Sequence, residues 1–122
     1  MKSIRVLVCG SREWKNYKSI IAELRRIQDK ANISVLIEGE SRGADKLAGV
    51  AASELGIKVL PFPANWKKYG LAAGPIRNRQ MLEEGKPDLV IAFHRDFETS
   101  KGTKNMVIQA KRKKIKVIIK SR

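Results

Sequence analysis

Short apolar runs alternate with longer amphipathic stretches along the whole chain, and this alternation defines the predicted elements. Ile4 to Cys9, Ile33 to Ile37 and Leu89 to Phe93 are almost continuously apolar, as expected of strands covered on both faces. Tyr17 to Lys30 instead places Ile20, Ile21, Leu24 and Ile27 at helical spacing. A second helix is predicted from Asp45 to about Leu55, with Leu47, Ala48, Ala51, Ala52 and Leu55 inward. Asp45 is its candidate cap and Gly56 its stop. Lys58 to Leu60 reads as a short strand, Pro75 to Glu84 as a helix stopped by Gly85 and Pro87, Thr103 to Lys113 as a last helix, and Ile115 to Ile119 as a closing strand. Pro61 to Pro75 holds three of the four prolines together with Trp66, Tyr69, Gly70 and Gly74, so a long ordered loop, or a loop with one helical turn, is expected there.

Strand and helix alternate throughout, which predicts one α/β domain over residues 1–122: a Rossmann-like three-layer sandwich around a mostly parallel sheet of about five strands. Ligands of such sheets sit beyond the carboxyl ends of the strands. Three glycine-centred turns fall at those ends: Cys9-Gly10-Ser11-Arg12, Glu38 to Asp45 with Gly39 and Gly43, and Ser100-Lys101-Gly102-Thr103. A helix start offers unpaired N–H groups and a favourable dipole, and glycine lets an anion approach the backbone, so each turn is a candidate phosphate site. Gly10 and Ser11 would approach the ligand while Arg12 supplies a planar charge that can fork onto phosphate. Arg42 is the candidate cation of the second turn, where Asp45 either caps the helix or accepts hydrogen bonds from a ribose. Arg77 belongs to the same group, because a cation at a helix start opposes the dipole and local helix stability does not account for it. The turns carry neither the spaced glycines of a dinucleotide fingerprint nor a phosphate-loop lysine motif.

Composition adds one further feature. Among 122 residues, 26 Lys and Arg outnumber 12 Asp and Glu, for a formal charge of +14, and no acid follows Glu98. Lys111, Arg112, Lys113 and Lys114 are therefore either a solvated helix end that suits the C-terminal dipole or a nucleic-acid patch. The single cysteine, Cys9, ends a strand and is expected to pack inward, with no disulfide and a cytoplasmic location. The amino-terminal residues lack the pattern of a signal peptide, and no apolar run is long enough to cross a bilayer. His94 is the lone histidine and has no cysteine or carboxylate cluster beside it, so no metal and no cofactor are expected.

These residues resemble the SLOG superfamily, whose Rossmann-like members include the LOG phosphoribohydrolases and DNA-processing protein A, and more narrowly its small YspA-related branch. The resemblance rests on Gly10-Ser11-Arg12, Gly43-Ala44-Asp45 with Leu47-Ala48, Phe62-Pro63-Ala64 with Trp66, Tyr69-Gly70, the Ala73 to Met81 segment, and Ser100 to Thr103. It implies a nucleotide pocket that draws on Gly10, Ser11, Arg12, Gly39, Arg42, Gly43, Asp45, Trp66, Arg77, Asn78, Gly102 and Thr103. Trp66 or Tyr69 would stack on a base or else cover the sheet edge. It also implies pairing into homo-oligomers. In the phosphoribohydrolases an arginine four residues before a methionine, and a glutamate three residues after a Gly-Thr pair, serve catalysis. Arg77 before Met81 matches the first, whereas Met106 occupies the glutamate position and cannot transfer a proton. The expected function is therefore binding of a nucleotide or nucleotide-derived molecule, for sensing or sequestration. The alternatives are nucleotide N-glycosidase activity with Arg77 catalytic, and nucleic-acid binding through the basic C-terminal third.

Overall fold

A computed structural model describes residues 1–122. Its elements are β1 (Ser3–Gly10), α1 (Tyr17–Gln28), β2 (Asn32–Glu38), α2 (Ala44–Glu54), β3 (Val59–Pro61), α3 (Trp66–Tyr69), α4 (Ala73–Gly85), β4 (Leu89–Phe93), α5 (Gly102–Arg112) and β5 (Lys116–Lys120). Single 3-10 turns occupy Gly70–Ala72 and Phe97–Thr99. The sheet has five strands in the order β3-β2-β1-β4-β5, and every neighbouring pair is parallel. The chain is thus a Rossmann-like α/β domain, more uniformly parallel than the sequence requires.

Each strand feeds side chains to both sheet faces, which is why the apolar runs are continuous rather than alternating. Val6, Val8, Leu36 and Ile91 pack against α1 and α2 on one face. Leu7, Ile37, Val90 and Ala92 pack against α4 and α5 on the other, with Met81, Leu82, Met106 and Val107. Cys9 is buried in this second layer, as its apolar setting predicts.

The principal departure from the predicted boundaries lies in the Pro61 to Pro75 segment, which is more helical than expected. Asn65 caps α3 by accepting from the Lys68 N–H at 3.0 Å, and α4 then begins at Ala73, two residues ahead of Pro75. A proline is tolerated there because the first helical turn needs no intrahelical donor from it. Asp45 does not cap α2. The cap position is Gly43, without a side-chain bond, and Asp45 lies inside the helix with its carboxylate turned back to accept from the Ser41 N–H at 3.2 Å.

The carboxyl ends of β1 and β4 are joined tightly. Ser11 N–H donates to the Phe93 carbonyl at 2.9 Å, and Ala44 N–H at the start of α2 donates to the Ser11 carbonyl at 3.0 Å. A Cβ at Gly10 would lie 2.2 Å from the Phe93 oxygen, and one at Gly43, where φ is +78°, would lie 2.3 Å from the Ser11 oxygen. Backbone leaves no room at either position. Gly10→Ala and Gly43→Ala should each destabilise the protein by about 3 kcal/mol or prevent folding. Urea unfolding measures this, and wild-type stability in either variant would refute the packing account.

Candidate functional site

The order β3-β2-β1-β4-β5 reverses direction at β1, where α1 and α2 lie on one face and α4 and α5 on the other. The two sets of connections diverge beyond the carboxyl ends of β1 and β4, which is where open parallel sheets form a crevice. A cleft of about 700 Å³ opens at this point, bordered by the β1 turn, the start of α4, His94 and the Ser100–Met106 stretch. A second hollow of about 450 Å³ adjoins it over the β2 turn, and Arg12, Ser41, Trp66 and Arg77 border both.

The three glycine turns are not equivalent. Gly10 and Gly43 are filled by neighbouring backbone, and a Cβ at Gly39 would lie 2.4 Å from the Arg77 guanidinium. At α2, Ala44 N–H is bonded to Ser11 and Lys46 N–H to Ser41. Around Gly102, in contrast, nothing lies within 4 Å of the position a Cβ would take. Thr103 N–H is held by Ser100 Oγ at 3.0 Å, while the Gly102 and Lys104 N–H groups at the start of α5 have no partner. Of the three turns, the one before α5 is the turn whose glycine has open space around it.

Arg77 lies at the base of both hollows, half-buried. Its Nη1 donates to the Gly39 carbonyl at 2.6 Å and its Nε to Asn78 Oδ1 at 3.1 Å. Two buried carboxyls accompany it. Burial pushes Asp45 up to about 6, against the opposing pull of Arg77 and the loop N–H groups. Burial also pushes Glu38 up to about 7, against the Glu40 N–H its carboxylate accepts. Burial lowers Arg77, and burial together with the Asp45 charge raises the Cys9 thiol, which stays protonated.

Asn78 is buried and tied to α5: its Nδ2 donates to the Gly102 carbonyl at 3.3 Å and to Asn105 Oδ1 at 3.1 Å. It thus sets the position of the open helix start. Asn105, which also accepts from Gln109 Nε2 at 2.7 Å, escaped sequence reading because a single asparagine inside a helix belongs to no motif. The other cations divide. Arg12 is exposed, with its guanidinium 5.7 Å from the centre of the half-exposed Trp66 ring, whereas Arg42 pairs with Glu13 at 2.7 Å in solvent. Met106 is fully buried beneath the cleft. Lys111 and Arg112 form the last turn of α5 and Lys113 and Lys114 follow it, at the opposite end of the sheet from the cleft.

Fold and cleft together define a Rossmann-like domain with a crevice at its topological switch point. The chain belongs to the YspA, cpYpsA-related SLOG family, whose model matches residues 4–69. It is 32% identical over 120 residues to the Gene 61 protein of Mycobacterium phage D29, covering 93% of this chain and 94% of that one. Among solved structures, DNA processing protein A from Streptococcus pneumoniae matches with a TM-score of 0.72 at 19% identity. That match covers 95% of this chain and spans half the length of the other. At that identity the likeness shows a shared fold. No helix is long and apolar enough to cross a membrane.

The buried carboxyls make stability depend on pH in a definite direction. Glu38 rises from 4.5 to about 7 on folding and Asp45 from 3.8 to about 6, so between these limits the folded state holds more protons than the unfolded state. Stability then falls as pH rises through this window. The Tm should drop on the order of 5 °C between pH 5 and pH 8. Glu38→Gln should flatten that slope in a calorimetric pH series, and an unchanged slope would refute the assignment.

Proposed function

We propose that the cleft binds a nucleotide or nucleotide-derived small molecule and holds it without cleaving it, for sensing or sequestration. The observation that carries this reading is the open start of α5, where Gly102 leaves space and two N–H groups lack partners, while the space beside Gly10, Gly39 and Gly43 is filled by neighbouring atoms. A phosphate placed there would accept from these amides and gain from the helix dipole. Arg12 and Lys101 border the same cleft and would neutralise it. Trp66 would stack on the base from the shared wall of the two hollows. Membership of a SLOG family and the Rossmann-like fold support a nucleotide-related ligand.

Arg77 acts differently in this reading. Its guanidinium is engaged by the Gly39 carbonyl and neutralises Asp45, so it shapes the wall between the hollows and leaves only part of its charge for ligand. One observation favours hydrolysis as a second reading: Asp45 borders the cleft, and a carboxyl raised to about 6 suits proton transfer near neutral pH. Opposing it, Met106 sits where the resemblance places a catalytic glutamate, and the Asp45 carboxylate is occupied by the β2 turn.

Thermal unfolding against mono-, di- and cyclic nucleotides and nucleotide sugars, at low and high salt, tests the binding reading. One small nucleotide should raise the midpoint at both salts, and at ~100 times its dissociation constant the added stability is about 2.7 kcal/mol. Absence of any shift across the panel would reject it. Gly102→Ala should leave the free protein as stable as wild type or up to about 1 kcal/mol more so, because alanine favours a helix. The same change should weaken nucleotide binding at least about tenfold, which corresponds to 1.4 kcal/mol. Incubation of nucleoside monophosphates with concentrated protein should release no free base. Release that disappears in Asp45→Asn would replace binding with hydrolysis.

A further inference from the structure

The end of the sheet opposite the cleft carries a row of cations that the sequence order conceals. In sheet order β3-β2-β1-β4-β5, a lysine stands at or just before the start of every strand: Lys58, Lys30, Lys2, Lys86 and Lys116. Lys111 to Lys114 close the row at the end of α5. All are exposed, and none forms an ion pair within 4.0 Å. Five acids share this end, Asp29, Glu54, Glu83, Glu84 and Asp88, of which Glu83 is paired with Arg79, so the lysines and arginines outnumber them.

Two of these lysines stand where the backbone itself favours another residue. Lys86, the cap of α4, has φ +48°, and Lys114, just after α5, has φ +60°. Both are left-handed positions at helix ends, where glycine is the usual occupant. Lysine there gains something from the helix dipole but carries a conformational penalty that glycine avoids.

We propose that this end of the molecule is a docking surface for the phosphate backbone of double-helical DNA, engaged without reading base sequence. The proposal is independent of the cleft reading. Strands about 4.8 Å apart spread the lysine row over roughly 20 Å, close to six base pairs of duplex. Point charges on flexible stems suit phosphates and carry no geometry for base edges. Six of the seven aromatic residues lie on segments at the cleft side, and the seventh, Tyr17, is partly buried against the core with its hydroxyl toward Glu54, so this surface has no exposed platform for stacking unpaired bases. Apart from Met1 it exposes no large apolar side chain, which separates it from a membrane-inserting surface.

Fluorescence anisotropy with a labelled 20-base-pair DNA duplex, run as a salt series, tests this. With about six phosphates contacted, affinity should fall about a thousandfold between 50 and 200 mM salt. The triple variant Lys58→Ala, Lys86→Gly, Lys114→Gly should bind at least tenfold more weakly, with a log–log salt slope smaller by about 2.7. Its unfolding midpoint should match or exceed that of wild type, which excludes misfolding as the cause. Arg12→Ala and Gly102→Ala should bind the duplex as wild type does while losing nucleotide response. Loss of duplex binding in those cleft variants, its retention in the triple variant, tenfold preference for single strands, or sedimentation with phosphatidylserine vesicles without duplex binding would each overturn the proposal.

Discussion

The structure depends on the close approach of three backbone segments at the carboxyl ends of β1 and β4. Ser11 bonds to Phe93, Ala44 bonds back to Ser11, and the two glycines beside these bonds leave no space for a side chain. This junction fixes α2 against the sheet and Phe93 against Trp14, whose ring centres lie 5.5 Å apart. It also fixes the floor of the cleft. A Cβ at either glycine would push apart the elements that hold Asp45, Arg77 and the β2 turn in contact.

That contact is an unusual use of burial. Removing a carboxylate from water is costly unless it is paired and hydrogen-bonded, and Glu38 and Asp45 meet the cost with turn N–H groups and Arg77. The rise of both carboxyls shows that compensation is incomplete. The floor is therefore held in place by buried carboxyls whose charged forms are only partly compensated.

Much of the fold was legible because parallel strands covered on both faces must be continuously apolar, and Ile4 to Cys9 and Leu89 to Phe93 are. The α4 boundary was harder, since Pro75 marks a helix start equally well at its first residue or inside its first turn. The site was only partly legible for a related reason. A glycine required by approaching backbone and one that leaves room for a ligand look identical in sequence, and only packing separates Gly10 and Gly43 from Gly102. Asp45 stands where a cap would, yet its carboxylate serves the preceding turn. Asn105 and the lysine row depend on contacts or sheet order that no local window contains.

Topology then divides the molecule chemically. Because every strand is parallel, the long helices all begin at the cleft end and finish at the other. Their dipoles favour anions at the first end and cations at the second. Most aromatics lie on segments at the first end, where α5 leaves donors open, and at the second a lysine stands at or before the start of each strand. Dipole compensation alone would place one or two cations in a last turn, as at Arg25 and Arg26 of α1. It does not require a lysine before each strand of the sheet, nor lysine at Lys86 and Lys114 where the backbone favours glycine. The lysine row is thus set by sheet order rather than by any single helix, and it stands at the end of the sheet opposite the open start of α5.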